Sequence, residues 1–320
     1  MSEQGQALEA FAKTDLIRQV EVAISERYHP SDVATDSPMK NPVHLSIGQE
    51  HIPVAIRMAI GDESHAYATH RAHAAYLAWN GDVDAMIAEL HGKVTGCANG
   101  WGGSMHLIDE DAGVMGTSAI VGSSLSYAVG LAFGKKLLKD ETATVAFVGD
   151  AVPETGQFWE ALNFASLKNI NLMVVIENNE LATATTRSDR QPKGRGLLAP
   201  ILTSDLISRE NFANISGGFV EADSFGNIYK TALEMIQENN GLKVLWVDTC
   251  RMAEHVGPNY NLTSNDRLTE IRKRAVKLWD EETVQKTEER NGRKVDVAFI
   301  RAARAPWPPR TWDELGAPTR

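Results

Sequence analysis

The sequence predicts an α/β fold: a mostly parallel sheet flanked by helices. Three observations predict it. Residues 143–148 (ATVAFV) and 171–176 (NLMVVI) are short, continuous apolar runs rich in β-branched side chains, as expected of strands buried on both faces. Between them, 157–168 (QFWEALNFASLK) places Phe158, Ala161, Leu162 and Ala165 at helical spacing. A strand, a helix and a strand in that length form a crossover, which joins parallel strands. A third strand, KVLWVDT (243–249), follows the helical stretch YKTALEMIQEN and repeats the pattern.

The remaining elements are read in chain order. Leu16, Ile17, Val20, Ala23, Ile24 and Tyr28 form the apolar stripe of an amphipathic helix over 15–28. A Pro-, Ser- and Asp-bearing loop from His29 to Pro42 follows. A second helix is expected through GQEHIPVAIRMAIG, ending near Gly61. A third is expected in GDVDAMIAELHG, capped by Asp82 and stopped by Gly92. The stretch Gly96–Gly103, GCANGWGG, is a glycine-rich loop. The charge-free run Ala119–Gly134 is too short and too rich in Gly and Ser to span a membrane, and is expected to be a buried helix packed closely against another backbone. The segment Asp266–Glu282 is charged and helical. RAPWPPRTWDELG after it has too many prolines for a regular element and is expected on a surface, its own or a partner's. The expected units are an N-terminal helix and arm (1–42), a ligand-binding α/β domain (43–265) and a C-terminal helix with its Pro-rich tail (266–320).

Composition narrows the function. The formal net charge of -10, with no Lys/Arg cluster, argues against nonspecific nucleic-acid binding and against an anionic membrane surface. Two cysteines, Cys97 and Cys250, supply neither a disulfide framework nor a zinc set, which fits a reducing, cytoplasmic setting. The acidic N-terminus lacks the apolar core of a secretory signal.

The chemistry centres on the doubled amide in VVIENN (174–179). Asn-Asn ends one strand, and Gly149-Asp150 ends the strand before it, 29 positions earlier (179 − 150). In a parallel unit both strands end at one sheet edge, where ligands bind in open α/β sheets. Asp150 and Asn179 are hard oxygen donors of the kind magnesium takes, with phosphates and water completing the octahedron. The helix beginning near Gln157 points its amino end the same way and favours anions. A magnesium-bound diphosphate is the expected ligand; two unrelated turns are the competing reading.

The stretch GDAVPETGQFWEALNFASLKNINLMVVIENN resembles the thiamine diphosphate fingerprint, Gly-Asp-Gly followed at a distance by Asn-Asn. The wider chain resembles the alpha subunit of the decarboxylating component of 2-oxo acid dehydrogenase complexes, the pyruvate, branched-chain and acetoin type. HLSIGQE (44–50), HRAH (70–73), GCANGWGGSMH (96–106), AIVG (119–122) and TCRMAEH (249–255) stand in the family's order. The resemblance implies thiamine diphosphate and Mg2+ as cofactors. It implies Asp150, the Asn179 side chain and the Leu181 carbonyl as metal ligands. Arg71, with His70 beside it, falls at the diphosphate, as do the amides of Ala151 and Val152. Ala119 and Val121 fall at the aminopyrimidine ring, and His44 and His255 at the reacting carbon. It further implies a separate beta subunit carrying the activating Glu, an assembly of two alphas with two betas, and a lipoyl-bearing acyltransferase as acyl acceptor.

Four departures stand out. Ala151 replaces the usual Gly, tolerable if its φ is negative. His70 replaces the usual Tyr. Val256-Gly257-Pro258 follows His255, so the phosphorylatable Ser of some relatives is absent. Glu254 replaces a Gly, and a carboxylate there is expected to raise the His255 pKa. The polar, basic run Thr183–Arg195 is expected to be a loop at the cofactor mouth. The other histidines, and the two cysteines, are read as structural or exposed. Two alternatives stay open: a thiamine diphosphate-dependent carboligase that passes the acyl unit to an aldehyde or sugar, and a noncatalytic nucleotide-binding or scaffolding module.

Overall fold

A computed structural model describes residues 2–28, 39, 41–192, 215–220, 224–238 and 241–309. In chain order its elements are α1 (Glu3–Arg27), α2 (His51–Ile60), β1 (His65–Ala68), α3 (His73–Ala78), α4 (Val83–Leu90), β2 (Val114–Thr117), α5 (Ser123–Leu138), β3 (Thr144–Gly149), α6 (Gly156–Leu167), β4 (Leu172–Asn178), α7 (Arg187–Arg190), β5 (Ile215–Val220), α8 (Phe225–Glu238), β6 (Leu242–Asp248), α9 (Arg267–Leu278) and α10 (Glu281–Arg304). The six strands form one sheet in the order β2-β1-β3-β4-β6-β5, with every pairing parallel.

The period-two alternation of a strand divides the core in two. Val145, Phe147, Met173, Val175, Leu245 and Val247 enter one cluster with α2 and α8. Ala146, Val148, Leu172, Val174, Ile176, Val244 and Trp246 enter the other with α5 and α6. The middles of the central strands, Val145–Val148, Leu172–Ile176 and Val244–Val247, are therefore apolar on both faces, which is why they stand out in the sequence. A third cluster, built on Phe11, Ile271, Ala275 and Val284, binds α1 to the two C-terminal helices.

Several expectations are revised. The first helix begins at Glu3 rather than near residue 15, started by the Ser2 hydroxyl, which accepts from the Gly5 amide. The charged C-terminal segment is two helices broken at Trp279, the second running on to Arg304. Pro306 and Trp307 lie against this chain's own Gly92–Val94 region: the Val94 amide donates to the Pro306 carbonyl, and the Lys93 ammonium sits 3.8 Å from the Trp307 ring centroid. The rest of the Pro-rich tail, 310–320, and most of the His29–Pro42 loop lie outside the described residues. Helix α5 is not buried all round. It buries Leu125, Ala128 and Ala132, while Tyr127, Leu137 and Leu138 are exposed. A Cβ added at Gly130 or Gly134 would meet nothing within 4 Å, so among the described residues no backbone packs on those glycines. Among the described residues, no helix is long and apolar enough to cross a membrane.

Candidate active site

Loops that follow the carboxyl ends of five parallel strands converge on one cavity of about 300 Å³. Thr69, His70 and Arg71 follow β1. Ala119 and Val121 follow β2. Gly149 through Val152 close β3, Glu177, Asn179 and Leu181 through Thr183 close β4, and Arg251 and His255 follow β6. His44 and Gln49 come from the segment before α2. Every candidate site residue read from the sequence — His44, His70, Arg71, Ala119, Val121, Asp150, Ala151, Val152, Asn179, Leu181 and His255 — lines this single cavity.

The doubled amide divides its labour. Asn178 turns away from the cavity: its amide nitrogen donates to Asp248 at 2.6 Å and to Glu180 at 2.7 Å, tying β4 to β6. Asn179 faces the cavity. Its amide nitrogen donates to Gln49 at 3.1 Å, and its oxygen accepts the Leu181 amide at 3.1 Å across a turn in which Glu180 has a φ of 64°. The β3–β4 register, Gly149 opposite Glu177, brings Asp150 level with this turn. Asp150 is 3% exposed. Burial raises its pKa even though Arg190 bonds to it at 2.9 Å. Ala151 has a φ of -85°, so its methyl is accommodated without strain. Thr155 caps α6, accepting from the Phe158 amide at 3.3 Å.

Arg71 is buried. It donates to the Leu45 carbonyl at 2.5 Å and the His255 carbonyl at 3.1 Å, so one guanidinium fastens the backbones that carry both His44 and His255. Burial, then Arg251, lowers its pKa to about 10. The Glu177 carboxyl in the same cavity is pushed up to about 7 by burial, with Arg71 opposing. The three cavity histidines are held neutral. Burial, then the neighbouring cationic groups, lowers His44 to about 3 and His70 to about 4, and lowers His255 in the same direction. Glu254 has no part in this. Its carboxylate accepts from the Asn259 amide at 2.9 Å and side chain at 3.0 Å, bracing the loop over Gly257, whose φ is 123°. The expected rise of the His255 pKa is therefore overturned.

Supporting residues escaped the sequence reading. Glu89 is fully buried, and its carboxylate accepts four backbone amides of the glycine-rich loop: Ala98 and Gly100 at 2.8 Å, Gly102 at 2.6 Å and Gly103 at 3.0 Å. A Cβ at Gly96 would lie 2.3 Å from that carboxylate, and one at Gly102 would lie 2.2 Å from the His106 carbonyl, so these two positions require glycine. Glu21 links the buried His73, 3.0 Å away, to the Ser46 amide at 2.8 Å, and His73 reaches Ser104 at 2.8 Å. Arg18 bridges Glu50 and Asp266, the latter through two bonds of 2.9 Å, while Glu50 also accepts the Gly48 amide at 2.8 Å. Acids set among apolar helix residues, as in MIAEL, were the available signal.

The all-parallel sheet, with a cavity where its strands end, defines the class: an open α/β fold that binds a ligand in the crevice at its carboxyl edge. The model of the family described as dehydrogenase E1 component matches residues 13–203. A mitochondrial pyruvate dehydrogenase E1 component alpha subunit from Pisum sativum is 30% identical over 319 residues, covering 94% of this chain and 75% of the relative. The alpha subunit of acetoin:2,6-dichlorophenolindophenol oxidoreductase from Bacillus subtilis (strain 168) is 38% identical over 143 residues, 45% of this chain and 43% of the relative. Among solved structures, a transketolase from Leishmania mexicana shares the fold at a TM-score of 0.50 and 15% identity, covering 93% of this chain and 48% of its own. The chain belongs to the dehydrogenase E1 component family. It is an alpha subunit of the thiamine diphosphate-dependent 2-oxo acid dehydrogenase type.

Proposed function

We propose that the cavity holds thiamine diphosphate through one Mg2+ ion, and that the chain decarboxylates a 2-oxo acid together with a beta subunit. One observation carries this reading: residues from five strand ends, all chosen from the sequence, line one cavity. The donor set fits magnesium. Asp150, the Asn179 amide oxygen and the Leu181 carbonyl are hard oxygens. Each already accepts from a donor of this chain, Arg190, the Leu181 amide and Arg251 respectively. Arg71 uses part of its five-donor fork on two carbonyls, leaving donors for phosphate oxygens. The Ala151 and Val152 amides complete the diphosphate end. Backbone groups of Ala119 and Val121 serve the aminopyrimidine.

The bound coenzyme supplies the electron sink for the carbanion left by decarboxylation. This chain's residues anchor, orient and exclude water. Neutral His44 and His255, unlike imidazolium, are free to take up a proton near the reacting carbon. No glutamate other than Glu177 lines the cavity among the described residues, which supports an activating Glu supplied by the beta subunit. Val121 at the rim is 51% exposed, and α5 and α6 present Tyr127, Leu138 and Leu167 to solvent. These surfaces favour an assembly of two alphas with two betas. Cysteine usage supports the cytoplasm. A lipoyl carrier is the proposed acyl acceptor. The His70 and Glu254 departures keep an aldehyde-accepting carboligase as the second reading.

Carbon dioxide release from 2-oxo acids, measured with and without the beta subunit, tests this. Activity is expected only with both chains. Robust turnover by this chain alone, or none with any 2-oxo acid despite bound coenzyme, overturns it. Product analysis with pyruvate plus lipoamide against pyruvate plus aldehyde assigns the acceptor.

A further inference from the structure

His44, His70 and His255 form a triangle of rings. Their centroids are 4.7 Å apart for His44–His70, 5.4 Å for His44–His255 and 5.3 Å for His70–His255. One ring nitrogen of each lies within 4.8 Å of those of the other two. Among the described residues they are the cluster of three or more His, Cys, Asp or Glu side chains arranged to share an ion. His44 is 94% buried (100 − 6), and its Nδ1 has no hydrogen-bond partner; nor has the Nδ1 of His255. Buried imidazole nitrogens left unpaired carry a desolvation cost that a bond to a metal would remove.

We propose that these three histidines are a site for a borderline divalent transition ion, zinc above all, separate from the oxygen site at Asp150 and Asn179. Three imidazoles with a fourth position open is the donor set of many zinc centres, whereas magnesium prefers oxygen and would not enter it. Tetrahedral zinc with bonds of about 2.0–2.1 Å sets its ligand nitrogens about 3.3 Å apart. Closing from 4.8 Å at most asks each ring to swing by less than about 1 Å, within reach of side-chain rotation. The lining guanidiniums Arg71 and Arg251 oppose a cation here, with Glu177 offsetting them only in part, so the imidazole–metal bonds must supply the affinity. Because the trio lines the coenzyme cavity, an ion held there restricts what the cavity admits. His70 is the residue that decides it, since without its ring only two imidazoles remain.

Cobalt(II) is the probe, added to the full chain assembled with its beta subunit and stripped of coenzyme. One cobalt per chain is expected, with the intense visible band of a tetrahedral site, displaced by zinc but not by magnesium. His70→Tyr and, separately, His44→Gln should each weaken binding by more than the roughly 10–100-fold that outer-shell partners cost. Two variants guard against one that fails to fold. Asp150→Ala should leave cobalt binding intact while removing magnesium-dependent coenzyme binding, so failure of either reading is told apart from failure of the other. No tetrahedral band, or an affinity unmoved by both histidine substitutions, overturns the proposal.

Discussion

The Arg190 guanidinium donates to the Asp150 carboxylate at 2.9 Å, and Arg190 also pairs with Glu154. Gln191 adds a bond of 2.7 Å to the Asp150 carbonyl and one of 2.8 Å to Glu154. In this state a cation of the chain itself, on the four-residue helix Arg187–Arg190, neutralises the carboxylate proposed to bind the metal.

Arg190→Ala should therefore destabilise the coenzyme-free chain. Breaking one side of a buried pair costs about 3–5 kcal/mol, and the lower end applies because Asp150 can take a proton. Magnesium plus thiamine diphosphate should recover more of the melting temperature in the variant than in the wild type. Equal recovery in thermal unfolding would show that Arg190 and the metal do not share Asp150.

Glu89→Gln should collapse the order of the glycine-rich loop. An amide turned toward four N–H donors loses charge-assisted bonds worth about 1.5–3 kcal/mol each, so a loss of at least about 3 kcal/mol is expected by denaturant unfolding. A change within about 0.5 kcal/mol, the range of an ordinary surface substitution, would mean the loop holds itself.

Arg18→Leu should cost about 3–5 kcal/mol, because the buried Glu50 and the half-buried Asp266 would be left without their cation. Replacing all three with apolar residues should recover much of that loss. Failure of the triple variant to recover would show that the bridge between α1, the Gly48 turn and α9 needs its charges for more than mutual neutralisation.

The depressed histidines give stability a pH dependence of definite sign. His70 stays neutral in the folded chain down to about 4, while in the unfolded chain it protonates near its ordinary value of about 6.5. Between these values the unfolded state binds more protons, so stability falls as pH falls. The loss for one such histidine is at most about 2 kcal/mol on going from pH 7 to 5. His70→Tyr removes its share, and the variant should lose less stability than wild type over that interval. Parallel curves would place the His70 pKa near its ordinary value.

Legibility followed burial. Strands β3, β4 and β6 are covered on both faces and read as apolar runs. Strands β1 (HAYA), β2 (VMGT) and β5 (ISGGFV) are short or interrupted by His and Gly, and their strand character comes from neighbours. Helix α5 misled because small residues mark close packing without naming the partner; Gly130 and Gly134 face outward. At the site, residues fixed by strand ends were legible. Gln49, Glu177 and Arg190 were not, because their partners lie 130, 106 and 40 positions away along the chain for Gln49–Asn179, Glu177–Arg71 (177 − 71) and Arg190–Asp150.

Titration of thiamine diphosphate into the alpha–beta assembly by calorimetry, with and without magnesium, addresses the shared-cation claim directly. The wild type should bind only when magnesium is present, and Asp150→Ala and Asn179→Ala should each lose that dependence along with the binding. Full affinity in either variant, or tight binding by the wild type in chelator, would contradict the joint grip of Asp150 and Asn179 on one ion.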